Sequence, residues 1–194
     1  LVNNNDVRKI LAFWFGKPED KDYGKPRKFW FKKDDLIDQQ IRSQFLPIYE
    51  QAVRGDLDYW KNTPLSCLAL ILVFDQFPRN MFRNSPQSFA TDNNALKLAQ
   101  YAVSQQFDRQ LLLVQRWFIY LPFEHSENLT HQQQAIALFS TLKDDPDSQS
   151  AINFATRHYQ VIKQFGRFPH RNKILGRIST PEEIEFLNKP GSSF

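Results

Sequence analysis

The chain predicts an all-α fold, and three observations carry that reading. Apolar residues recur at spacings of three and four along most of its length. No segment alternates apolar with polar residues beside a hairpin turn. Helix punctuation recurs between the periodic runs: Asp, Thr or Asn before them, Pro in the first turn, Gly after. The architecture that follows is a set of antiparallel helix pairs.

Each element has its own justification. Asp6 caps a stripe of Val7, Ile10, Leu11 and Trp14 that stops at Gly16. Residues 16–33 hold two Gly and two Pro and form a long loop, docked because Phe29, Trp30 and Phe31 need burial. From Asp34 the set Ile37, Ile41, Phe45, Ile48 and Ala52 makes an amphipathic helix to Gly55, with Pro47 expected to kink it. Thr63-Pro64 opens a nearly all-apolar, central helix over Leu65 to Phe74. Pro78 biases Phe77 away from helix, so the chain turns there. Thr91 or Asp92 caps a face of Ala95, Ala99, Ala102 and Val103, and "LLLVQRWFIYLPF" makes the next helix. Thr130 caps "HQQQAIALFSTLK", a long helix runs from about Gln149 to Phe165, and Thr180-Pro181-Glu182-Glu183 is a capping box for a short last helix.

At 194 residues the chain fits one domain, 1–194, with 188–194 a loose tail. Hydrophobic residues at 41% and charged ones at 24% exclude a disordered chain, and aromatics at 14% require rings in the interior. A net charge of +4 is a small excess, which disfavours nucleic acid as the partner. Its distribution is uneven: between Ser148 and Pro181 lie Arg157, Lys163, Arg167, Arg171, Lys173 and Arg177 and no acid. The single Cys67 sits in an apolar run, so no internal disulfide forms and a reducing compartment is expected. "ILAFWF" is too short for a signal-peptide core, and no apolar run reaches the roughly 18 residues a membrane span needs. The expected location is cytoplasmic, without membrane attachment.

Three stretches place polar groups where the apolar pattern breaks. "DQFPRNMFRN" brings Asp75, Arg79, Asn80 and Arg83 together after the central helix; they either close the helix end or wall a pocket. "YLPFEHSE" offers His125 and Glu127 as a hydrogen-bonded pair, a general base or structural glue. Glu124, Glu127 and His131 have metal-compatible spacing. The helix start near Asn128 breaks their common face, so neither a metal nor another cofactor is expected. "FGRFPHRNKILGR" follows a helix carrying His158 on an apolar stripe; Gly166 ends that helix. Arg167, His170, Arg171, Asn172 and Arg177 supply more donors than one helix end uses. Phosphate-cradling glycine loops, CxxC, HExxH and GxSxG are all absent.

With those three stretches and "FATD" at 89–92 in view, the chain resembles the bacterial family known as domain of unknown function 924. The match runs nearly end to end. The resemblance implies antiparallel helical hairpins stacked in a compact, tetratricopeptide-repeat-like right-handed superhelix, and no particular activity. Its motif positions fall on Asp75, Arg79, Asn80, Arg83, His125, Ser126, Glu127, His158, Arg167, His170, Arg171, Asn172 and Arg177. Glu124 stands where the family is usually apolar, which argues against it as a catalytic acid.

The leading functional expectation is a pocket where the three turns converge, holding a small anionic molecule. Arg79, Arg167 and Arg171 would clamp the anion, with Asp75, Asn80, Arg83, His158 and Asn172 around it. His125, set by Glu127, and His170 would move protons if the protein is an enzyme. Two other classes stay open: a module gripping a protein partner, with purely structural turns, and RNA binding through residues 148–181.

Overall fold

The computed structural model describes residues 4–192, and those residues form nine α-helices joined by turns and short 3₁₀ segments, with no strand among them. In order they are α1 (Asn4–Phe15), α2 (Asp35–Val53), α3 (Pro64–Asp75), α4 (Phe77–Met81), α5 (Asp92–Ser104), α6 (Leu113–Glu124), α7 (Leu129–Ser140), α8 (Gln149–Phe165) and α9 (Pro181–Leu187). None is long and apolar enough to cross a membrane.

Capping explains several of the boundaries. The Asp34 side chain accepts from the amides of Leu36 and Ile37 and starts α2, which runs on through Pro47. Thr63 accepts from Ser66 N with Pro64 at the first helical position of α3. The capping box of Thr180 and Glu183 is complete on α9, and Gly166 ends α8 at φ +69, the left-handed conformation that a Cβ penalises.

Three sequence expectations shift at their edges. Helix α1 begins at Asn4, so Asp6 lies in its first turn rather than at its cap. Asn128, not Thr130, caps α7, since its Oδ1 takes the amides of Thr130 and His131. Phe77 is helical: the break falls at Gln76, and Pro78 stands in the first turn of α4, where a missing N–H costs nothing.

The core is aromatic and centres on α3, where every residue from Ser66 to Asp75 is buried. α3 packs on α5 and α2, α2 on α4, α5 on α6, α6 on α7, and α7 on α8, so chain neighbours are largely space neighbours. Trp14, Phe77 and Phe118 meet at centroid distances of 5.6–5.7 Å. The loop after α1 docks through Trp30, whose indole N–H donates to Trp14 O at 2.9 Å. Phe31 does not follow it inward: it is 64% exposed and lies parallel to Phe118 at 6.3 Å. A second, smaller cluster of Val161, Ile162 and Phe168, backed by Phe165 and Phe186, holds the C-terminal segment on α8.

Candidate functional site

The site grows from the end of α3. A helix buried on all sides carries its last residue, Asp75, to a point with 0% exposure. One carboxylate oxygen of Asp75 meets His125 Nδ1 at 2.7 Å, and the other accepts from Gln76 Nε2 at 2.6 Å. His125 arrives there as the residue closing α6, so two helix ends 50 positions apart in sequence are joined. Arg79 bends back from α4 to the Asp75 carbonyl and grips Asp92 with both terminal nitrogens, at 2.9 and 3.2 Å. Arg171 adds a bond to Asp92 at 3.3 Å, donates to His125 O at 3.0 Å, and lies between the faces of Phe89 and Phe168.

Burial alone would raise the Asp75 pKa, but His125 and Arg79 beside it, with two side-chain hydrogen bonds, hold it well below the usual carboxylate range. Asp75 is therefore ionised and accepts only. His125 is pulled the other way: burial and then the Arg79 charge depress its pKa, against the pull of Asp75. A neutral imidazole whose Nδ1 must donate to a carboxylate leaves Nε2 as the lone-pair nitrogen. That is the arrangement of an oriented general base.

A second histidine–carboxylate pair stands beside it. His158, on α8, places Nδ1 2.9 Å from Glu124 Oε1 and 2.9 Å from its own turn's Phe154 carbonyl. The rings of His125 and His158 are 6.4 Å apart, with Phe168 against His158 and His170 against Phe168. Burial, followed by the charges of Arg171 and His158, lowers the His170 pKa to about 3. Arg171 is buried enough for its own pKa to fall to about 10, although Asp92 opposes the drop.

These groups border one cleft of about 680 Å³ between the docked loop, α4, the ends of α3 and α6, and α8. Six cationic side chains line it (Arg27, Lys32, Lys33, Arg79, Arg83 and Arg171) against two carboxylates, Glu124 and Asp147. The lysines are at the outer edge, and Glu124 and His158 lie deep. A smaller cavity of about 340 Å³ lies behind His125, Arg171 and Phe89, which border both spaces.

Of the residues singled out from sequence, Arg79, Asn80, Arg83, His125, His158, His170 and Arg171 border the cleft. Asp75 stands behind His125, and Asn80 and Arg83 both reach Asp38 on α2 at 2.8 Å. The residue that sets His125 is Asp75, not Glu127. Glu127 instead takes both terminal nitrogens of Arg177 and the amide of Phe168. Arg167 lies away from the cleft, its fork on Glu183, and Asn172 bonds Glu183 and Ser179. The expected three-arginine clamp is thus reduced to Arg79 and Arg171. Pairing also changes the picture of the basic stretch: Arg167, Arg171 and Arg177 are matched by Glu183, Asp92 and Glu127, acids outside the window over which charge was counted.

Glu124, Glu127 and His131 do not share a face: His131 Nδ1 bonds Ser126 Oγ, and no group of three or more His, Cys, Asp or Glu among the described residues is placed to hold a metal. Two site residues lie outside the sequence reading. Asp92, there only a candidate cap, bridges Arg79 and Arg171, while its N-cap neighbour Thr91 donates its hydroxyl to Phe74 O instead of capping. Glu124 is an acid ending a continuous buried run from Trp117, which is itself a signal.

The fold and site define an all-helical protein with a histidine–carboxylate cleft built at helix ends. The chain belongs to the family described as Bacterial protein of unknown function (DUF924), whose model matches residues 10–191. It is similar to the solved structure of a protein of unknown function from Agrobacterium tumefaciens: 36% identity, a TM-score of 0.84, and coverage of 95% of this chain and 98% of that one. No curated protein matches it.

Proposed function

We propose that the cleft takes up a small anionic molecule and that His125, oriented by Asp75, acts on it as a general base. The observation that carries this reading is the neutral, carboxylate-held imidazole on a cleft where Arg79 and Arg171, sharing the single Asp92 carboxylate, stand beside it. Arg79 and Arg171 keep their charge near His125, while Lys32 and Lys33 at the edge supply a field that draws anions in.

A thermal-shift screen of carboxylate and phosphate metabolites tests the first half: at least one raises the melting temperature, and none doing so refutes it. With that compound, His125→Ala keeps binding and loses conversion. A wild-type protein that returns the compound chemically unchanged refutes the base. The competing reading is a helical module for a protein partner, with the turns only closing helix ends. In its favour are Arg167, Asn172 and Arg177, whose donors go to Glu183, Glu127 and neighbouring oxygens. It expects no small anion to shift the transition.

A further inference from the structure

We infer that the occupant of this cleft is a zwitterion, a small molecule carrying an amine as well as its anionic group, with the amine held by Glu124. The inference rests on the anion reading and adds to it the chemistry of the opposite end of the ligand.

Glu124 is 2% exposed and borders the cleft. Its Oε1 has His158, which divides Nδ1 between that oxygen and the Phe154 carbonyl. Its Oε2 is buried with no hydrogen-bond partner among the described residues. A buried carboxylate oxygen without a donor is costly, so such a group on a residue that borders a cleft calls for a donor from the occupant. None of the cleft's cations is bonded to that oxygen: Arg79 and Arg171 bond Asp92, Arg83 bonds Asp38, and Lys32 and Lys33 stand at the outer edge.

An ammonium suits the place better than a hydroxyl. Glu124 is the last residue of α6, where the helix end carries partial negative charge that favours a cation. Trp117, Phe139 and Phe154, rings of the kind that attract cations, border the same cleft. The cleft therefore carries lysines at its outer edge and a buried acid, Glu124, deep within it. A ligand carrying only negative charge would leave Glu124 as it is; one with an amine would answer it. The Glu124 backbone is pinned by Gln132, whose Nε2 donates to Glu124 O at 2.6 Å, so the carboxylate is held in place for this role.

Calorimetric titration of the whole chain with matched pairs decides the matter: L-alanine against propionate, 4-aminobutyrate against butyrate, and phosphoethanolamine against ethyl phosphate. The pairs also separate a carboxylate from a phosphate as the anionic end. In at least one pair the amine-bearing member binds about tenfold or more tighter, as a charge-assisted hydrogen bond provides. Glu124→Gln abolishes that preference. Glu124→Met, which removes the buried polar group altogether, gives the same loss and serves if the glutamine variant fails to fold. Equal affinities within every pair, or a preference that survives both variants, overturn the zwitterion while the anion reading stands. Binding by no member of any pair overturns both.

Discussion

Acidification from pH 7 to pH 5 costs this fold about 2 kcal/mol through His170 alone. In the unfolded chain that ring titrates near its ordinary value of about 6.5. Folding buries it beside Arg171 and His158 and lowers its pKa to about 3. Below pH 6.5 the unfolded state therefore takes up a proton that the folded state refuses, and stability falls as pH falls, until the folded ring titrates as well. At pH 5 the gap is about 1.5 pH units at about 1.36 kcal/mol each, which gives the 2 kcal/mol and, for a chain of this length, a melting temperature lower by about 4–8 °C. Urea denaturation of wild type and His170→Gln at both pH values reads it. Carboxylates and the other histidines titrate in both proteins, so the difference between their pH losses isolates His170. Equal losses would refute the reasoning, as would a proton NMR titration of the folded protein placing His170 near 6.5.

Asp92→Asn removes the charge shared by Arg79 and the nearly buried Arg171, and should cost about 3 kcal/mol in the same denaturation assay, the lower end for a broken buried pair because Asp92 keeps some solvent contact. Gly166→Ala meets open space at its new Cβ but keeps φ +69, so it should cost about 1 kcal/mol, with Gly166→Asn costing less. Cys67 is fully buried and its thiol pKa is pushed up to about 12 by that burial. A thiol reagent at pH 8 should leave the native protein unlabelled and react in step with unfolding in urea.

Local signals wrote the helices into the sequence. Thr63, Asp34, Gly166 and the Thr180–Glu183 box act within one turn, so α2, α3, α8 and α9 could be read directly. The misplaced start of α7 has the same cause, since Asn128 and Thr130 can both cap, whereas that of α4 comes from Pro78, which a first turn accommodates. The site was legible as three polar turns, because helices with buried ends need polar partners wherever they stop. Its pairings were not. His125 finds Asp75 across 50 residues and Arg171 finds Asp92 across 79, and nothing in periodicity or spacing ranks Asp75 above Glu127 as the imidazole's partner. Charge counted along the chain misled for the same reason, since Glu183 and Glu127 neutralise arginines from outside the window.

The position of Arg171 also bears on how the protein is made. The cleft takes its wall from residues spread between Pro26 and Ile174, and Arg171, wedged between Phe89 and Phe168, closes it. As the chain leaves the ribosome, the Asp75–His125 pair can form once α6 has emerged, yet the space it faces is complete only when the stretch after Gly166 docks. The cleft proposed as a binding site is therefore complete only after Ile174 has been made, and a nascent chain halted before Phe168 would carry the Asp75–His125 pair without that wall.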